Sequence, residues 1–338
     1  MSNTTTDNND QHPGSSREIT SSKNDELSSV QTDVDAVTEG IDTVAVLDDT
    51  STCVACGKEG NSDNMNTCNK CKSVKYCNAA CKKKHRKKHK KACERKVAEL
   101  HEEALFKEPP QREECPLCFL PYLYGDSTET FMSCCGKTIC DGCIHAMKES
   151  EGGDRLCPFC RTPPASGKKE DMKRIKTLIE KGNAEAFNVF AGYYDRGDYG
   201  LPQDHQKANE LYQKAGELGC SDGYYNLGCS YNQGSGVNMD KKRACHYFEL
   251  AAMMGDLDAR YTLGVWDYKA GNNDRAIKHF VMVAKAGDKK SLEKVKKIFM
   301  QGLVTKDEYA STLRVYHDRQ KEMKSEMRNK AAAAQSQG

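Results

Sequence analysis

The chain is 338 residues long, 30% charged and 7% aromatic, with a formal net charge of +2 and a mean hydropathy of −0.78. That length predicts two or three domains rather than one. No apolar run approaches a membrane span and Met1–Thr20 lacks an apolar signal core, so neither membrane insertion nor secretion is expected and the compartment is cytoplasm or nucleus.

Residues 1–52 are rich in Ser, Thr, Asn and Asp and contain no Phe, Trp or Tyr, and residues 1–50 set 11 acidic side chains against 2 basic ones. Such a stretch buries too little apolar surface to offset the entropy of ordering, which predicts a disordered acidic tail. The run Val44–Leu47 is too short to change that. The rest of the chain is net basic.

Fifteen of the 18 cysteines lie between Cys53 and Cys160, and Cys-x2-Cys recurs at Cys53/Cys56, Cys68/Cys71, Cys115/Cys118, Cys140/Cys143 and Cys157/Cys160. Such pairs on tight turns aim two thiolates at one tetrahedral ion, and zinc prefers four soft or borderline ligands. With no secretory signal, this spacing favours zinc in a reducing compartment over disulfides.

The first group runs Cys53-x2-Cys56-x11-Cys68-x2-Cys71-x5-Cys77-x3-Cys81-x7-His89-x3-Cys93. Eight ligands make two Cys/His tetrahedra. The pattern, with Tyr76 just before Cys77, resembles the MYND-type zinc finger over 53–93. That resemblance implies interleaved sites: Cys53, Cys56, Cys77 and Cys81 hold one ion, and Cys68, Cys71, His89 and Cys93 the other. His85, one helical turn before His89, is the competing nitrogen ligand. It also implies binding of short proline-containing peptides. Arg86 stands where that family usually carries an aromatic residue, often Trp. The cations of Lys82–Lys91 suit a nuclear-import signal or a phosphate-binding strip, but no aromatic residue interleaves to stack on bases. A protein partner is therefore expected over nucleic acid.

Residues 94–114 read as a charged helical linker ended by Pro109-Pro110. Over 115–164 the spacing is Cys115-x2-Cys118-x15-Cys134-Cys135-x4-Cys140-x2-Cys143-x13-Cys157-x2-Cys160. This resembles an all-cysteine RING finger, with Lys137 where many members have His. The resemblance implies one zinc on Cys115, Cys118, Cys140 and Cys143, and another on Cys134, Cys135, Cys157 and Cys160. Should Cys134 be free, a water or His145 completes the second set. The resemblance further implies that Leu117 and Pro158 grip a ubiquitin-conjugating enzyme, and that Arg161 hydrogen-bonds both enzyme and ubiquitin. Met147 lies near the position where a Trp often stands in that family's groove helix.

Residues 165–182 read as a linker and first helix, and residues 183–304 as repeats of about 36 residues. Gly192, Gly228 and Gly264 recur, as do Ala208, Ala244 and Ala276, Tyr212, Phe248 and Phe280, and Gly219, Gly255 and Gly287. Asp204 and Asp240 are placed to cap second helices. The small residues let paired helices approach and the aromatics fill the gaps. Together they resemble Sel1-like repeats, relatives of the tetratricopeptide repeat. That implies an all-α solenoid with a surface for proteins or peptides. Ser291–Gln301 reads as a fourth first-helix and Lys306–Lys330 as one polar capping helix within 305–338. Cys220, Cys229 and Cys245 lack paired spacing and read as packing residues.

The expected fold is thus two small zinc-stabilised modules, MYND and RING-like, plus a Sel1-like solenoid after a disordered N-terminus, with about four zinc ions. Two functions fit. One is a RING-type ubiquitin ligase whose MYND finger and repeats recruit partners. The other is a non-enzymatic scaffold.

Overall fold

The computed structural model describes residues 50–108, 110, 114–122, 129–149 and 156–335. The expected tail lies outside the described residues except for its last three, Thr50–Thr52, which form strand β1. β1 pairs antiparallel with β2 (Glu59–Asn61), Thr52 facing Glu59. A second short ladder joins β3 (Asn66–Thr67) to β4 (Lys75–Tyr76). The buried residues of this module are Cys53, Cys68, Cys71, Tyr76, His89 and Cys93. Its interior therefore consists almost wholly of candidate ligands.

Helix α1 (Ala79–Phe106) starts on Asn78, whose side chain accepts the N–H of Cys81 at 2.9 Å. It is polar on all sides and buries only His89, Cys93 and Leu105, the pattern of a helix that bridges between packed units. The separate linker expected from residue 94 is not a separate element. No Gly or Pro interrupts the chain between Cys93 and Phe106, so the helix of the first module runs straight on. At 28 residues it spans about 42 Å.

The second module is a hairpin, β5 (Glu129–Met132) with β6 (Lys137–Cys140), followed by α2 (Asp141–Glu149). Its core is Cys115, Tyr122, Ile139 and Cys140.

The rest of the described chain is helical. After α3 (Lys168–Glu180) come three pairs: α4 (Ala184–Arg196) with α5 (His205–Glu217), α6 (Ser221–Gln233) with α7 (Lys241–Met253), and α8 (Leu257–Ala270) with α9 (Asn273–Lys285). α10 (Lys289–Met300) stacks on α9. The chain is a helical solenoid. Asp204 and Asp240 cap α5 and α7, and Asn183, Asp256 and Asp288 cap α4, α8 and α10. Ala208, Ala244 and Ala276 are fully buried at equivalent positions. At Gly228 a Cβ would stand 2.7 Å from the Phe248 ring, so the α6–α7 crossing needs glycine there.

The single capping helix expected over Lys306–Lys330 is two helices, α11 (Lys306–Glu322) and α12 (Glu326–Gln335). Met323, between them, is fully buried, and the Ser325 hydroxyl accepts the N–H of Arg328 at 3.2 Å, which restarts the helix. α12 packs on α2 of the second module.

α1 is anchored at its far end as well. Leu105 is fully buried. Arg260, also fully buried, donates to the carbonyls of Leu105 (2.9 Å) and Ala252 (2.5 Å), so one guanidinium caps the C-terminal turns of α1 and α7 together. Glu102 pairs with Arg275 and Lys278, and His101 with Glu249. The Phe106 ring lies 4.6 Å from that of His279. His279 is buried, and neither ring nitrogen has a hydrogen-bond partner among the described residues. Asp267 is 3.6 Å away, but Arg275 engages the same oxygen at 3.2 Å. Burial, then the charges of Arg260, Arg275 and Lys278, hold His279 down to about 3.

Arg260→Met removes a charged donor from two buried carbonyls and should cost on the order of 2–4 kcal/mol. Urea denaturation checks the loss, and hydrogen exchange should rise in the last turn of α1. The depressed His279 contributes stability that is complete above its ordinary 6.5 and is lost as pH falls toward 3. His279→Phe should therefore flatten part of the acid limb of a stability–pH curve, and an unchanged limb counts against the assignment.

Candidate metal centres

Four sets of side chains converge: Cys53, Cys56, Cys77 and Cys81; Cys68, Cys71, His89 and Cys93; Cys115, Cys118, Cys140 and Cys143; Cys134, Cys135, Cys157 and Cys160. Within each set the ligand atoms lie within 4.8 Å of one another. Sulfur–sulfur distances are 3.7 Å for Cys56–Cys77, 3.6 Å for Cys77–Cys81, 3.7 Å for Cys68–Cys93, 3.7 Å for Cys115–Cys143, 3.8 Å for Cys118–Cys140 and 3.7 Å for Cys135–Cys157. A tetrahedron with metal–sulfur bonds of about 2.3 Å has edges of about 3.8 Å. A disulfide would require about 2.05 Å. The donor sets therefore fit zinc in both chemistry and spacing.

One backbone turn builds four of these half-sites. In Cys53–Gly57, Cys68–Lys72, Cys115–Phe119 and Cys157–Arg161, the N–H of the fifth residue donates to the carbonyl of the first cysteine at 2.8–3.0 Å. The fifth residue has positive φ each time: +74° at Gly57, +53° at Lys72, +55° at Phe119 and +59° at Arg161. The turn closes both thiols onto one side.

α1 supplies the helical ligands. His89 and Cys93, four apart, share one face, and His89 Nε2 lies 3.3 Å from Cys71 Sγ. His85, one turn earlier, instead meets the Tyr76 hydroxyl through Nδ1 at 3.3 Å and stacks on His89. The adjacent Cys134 and Cys135 sit in the β5–β6 turn. There the N–H groups of Cys135 and Gly136 both donate to Met132 O, curling the chain so that the two sulfurs face one centre. His145 lies beside Glu149 at 3.8 Å, outside that set.

Clustered thiols this close cannot all ionise without a cation, and neighbouring thiols accordingly shift in opposite directions. The N–H of Cys77 lowers Cys53 to about 6. Burial opposes the Cys68 thiolate, but the N–H groups of Cys71 and Lys70 bring it to about 6. At Cys115 burial is likewise outweighed, by the N–H groups of Cys140, Cys118 and Leu117, giving about 7. The Thr162 hydroxyl and N–H take Cys160 to about 6. Neighbours move the other way: Cys81 pushes Cys77 up to about 12.

Leu117 is half-buried against the core of the second module, whereas Pro158 and Arg161 are exposed. The cations of Lys83–Lys91 line an exposed stretch of α1. Cys220 donates to Glu185 at 3.2 Å and, with Asp222, makes a fifth close group. Burial raises the pKa of Cys220, Cys229 and Cys245, as expected of packed thiols. Sequence reasoning missed Arg260 and Arg328, whose burial has no local signal. It also missed the left-handed fifth position of each turn, which only Gly57 announces.

Residues 53–93 match the family of the MYND finger, and residues 187–220 and 221–256 that of the Sel1 repeat. The chain carries a MYND finger and Sel1 repeats. It is similar to the "ERAD-associated E3 ubiquitin-protein ligase component HRD3B" of Arabidopsis thaliana, 34% identical over 113 residues, covering 32% of this chain and 17% of that protein. It is also similar to the "E3 ubiquitin-protein ligase DA2" of the same plant, 37% identical over 71 residues, covering 21% and 16%. The chain thus spans less than a fifth of the length of these two relatives. Among solved structures, a Sel1 repeat protein from Oxalobacter formigenes aligns with a TM-score of 0.40 and 22% identity, covering 53% of this chain and 71% of that one. The likeness of the second module to a RING finger rests on its cysteine sets.

The MYND finger binds zinc, and both it and the Sel1 repeats are protein-interaction modules; the chain is a zinc-binding protein-interaction protein. No described helix is long and apolar enough to cross a membrane. Because the buried residues of the MYND finger are its ligands apart from Tyr76, chelation should unfold it and leave the Sel1 helices intact. Limited proteolysis should then cut within 53–93 while α4–α9 resist. Acid should mimic the chelator, since thiolate ligands must lose their protons to bind.

Proposed function

We propose that this chain is a RING-type ubiquitin ligase. Four zinc ions, one per set, hold the two cysteine modules. The second module receives a ubiquitin-conjugating enzyme, and the MYND finger and Sel1 repeats recruit the protein to be modified. The observation that carries the reading is the pairing of two metal-binding turns in one module. The Cys115–Phe119 turn carries Leu117 against the module core, and the Cys157–Arg161 turn leaves Pro158 and Arg161 exposed. The Arg161 guanidinium has no partner among the described residues, so its fork is free to donate to a partner's carbonyls or carboxylates. The names of the two plant relatives point the same way.

The chemistry asked of this module is orientation. Leu117 and Pro158 give an apolar grip, Arg161 fixes the charged, hydrogen-bonded side, and no side chain of this chain exchanges bonds with the substrate. Four protein ligands fill each tetrahedron, which makes the zinc structural. For recruitment, a polar cleft of about 490 Å³ opens between α4, α5 and α6, lined by Asp195, His205, Tyr212, Asn226, Ser230 and Gln233.

A scaffold without transfer activity is the second reading. It is favoured by α12, which lies along α2, the helix that the ligase reading leaves for the conjugating enzyme. Ubiquitination with the purified full chain and a panel of conjugating enzymes separates the two. Leu117→Ala and Arg161→Ala should each lower chain formation at least tenfold with zinc content unchanged. A wild-type chain inactive with every enzyme favours the scaffold.

A further inference from the structure

The centre formed by Cys115, Cys118, Cys140 and Cys143 has a neighbour from the far end of the chain. Arg328, on α12, is 6% exposed. Its guanidinium donates to the carbonyls of Pro121 (2.6 Å), Leu120 (3.1 Å) and Met323 (3.2 Å), and reaches Cys118 Sγ at 3.7 Å. No carboxylate pairs with it among the described residues. The approach is permitted by Gly142, the second residue of α2: a Cβ there would lie 2.7 Å from Arg328 Cγ and 3.0 Å from its backbone nitrogen. Two helices therefore meet backbone to backbone at a glycine between two of the cysteines, Cys140 and Cys143.

We propose that Arg328 is the outer cation of this metal centre and that α12 is an integral part of the second zinc module, a latch that holds the metal. The inference rests on zinc occupying the set, as in the preceding reading. Four thiolates around a divalent ion leave a net charge of about −2. A partly buried dianion needs compensating donors. Arg328 supplies a fixed, always-charged fork. With two of its N–H groups it also ties down Leu120 and Pro121, the carbonyls directly beyond the Cys115–Phe119 turn. Outer contacts of this kind commonly change metal affinity by about 10–100-fold.

The full-length chain loaded with zinc tests this through zinc release to a chromophoric chelator, with alkylation of the freed cysteines mapped by mass spectrometry. Arg328→Met keeps the bulk and removes the charge; Arg328→Lys keeps the charge and removes the fork; Gly142→Ala displaces α12 without touching a ligand or Arg328. The expected result is that Arg328→Met and Gly142→Ala speed release of one zinc in four by about tenfold or more. Labelling should appear first at Cys115, Cys118, Cys140 and Cys143, with Arg328→Lys intermediate. Four ions leaving Arg328→Met at the wild-type rate overturn the inference alone. Equal acceleration of all four, with a fall in overall stability, also overturns it, because that is what a purely structural residue would do. Fewer than four zinc ions in the wild type overturns the zinc reading beneath it.

Discussion

Sulfur atoms held about 3.7 Å apart without a bond between them are the constraint on which the first hundred described residues depend. Thiolates at that distance repel, and neutral thiols would gain little by gathering. A divalent cation reverses the sign of the interaction and makes the cluster the most stable arrangement available. In the MYND finger this is nearly the whole of the interior, since four of its five buried core residues are cysteines. Removing the ion would leave short two-stranded ladders and a polar helix, none of which is stable alone. Structural zinc, at on the order of 10 kcal/mol per site, takes the place of a hydrophobic core.

The same constraint shapes the surface. Each of the four Cys-x2-Cys turns that begin at Cys53, Cys68, Cys115 and Cys157 puts its fifth residue in the left-handed region, which costs a non-glycine residue about 1–2 kcal/mol. Gly57 avoids that cost; Lys72, Phe119 and Arg161 do not. A glycine at these positions would have been easier to fold, but it would have displayed nothing. Phe119 is 71% exposed, and Arg161 is exposed as well. Strain imposed by the ligand geometry thus sets large side chains outward, at the tips of the second module, where a partner would meet them.

What could be read from the sequence divides along a physical line. Cysteine spacing is local, so the paired turns and the MYND pattern were legible. The 36-residue recurrence of Gly228 and Gly264, with Phe248 and Phe280 filling the space the glycines leave, was legible for the same reason. Buried cations were not. Arg260, Arg328 and the Lys83–Lys91 strip are the same kind of residue in sequence, and only packing decides that two of them are interior. Continuity of α1 past Cys93 could have been inferred from the absence of any breaker before Pro109. The return of α12 could not, because Ser325 signals a helix start but not which surface that helix will cover. The role of Gly142 is hidden likewise: a glycine between two ligands reads as a turn until another helix is laid against it.

Arg260 and Arg328 solve one problem twice. Each is buried without a carboxylate partner among the described residues, and each donates to main-chain carbonyls that include a segment far away in sequence, Leu105 for Arg260 and Leu120 and Pro121 for Arg328. Arg260 fastens the helix of the MYND finger to the repeats; Arg328 fastens the C-terminal helix to the second cysteine module. Carbonyl acceptors suit this task, because no counter-charge has to be buried as well. Both contacts fall within the single contact-clustered unit that holds all the described residues. In the ligase proposed above, two partners bound to modules fastened in this way would be held at a set distance and angle. That is the condition under which bringing reactants together accelerates a transfer, since a flexible tether would return the orientational entropy that binding had removed.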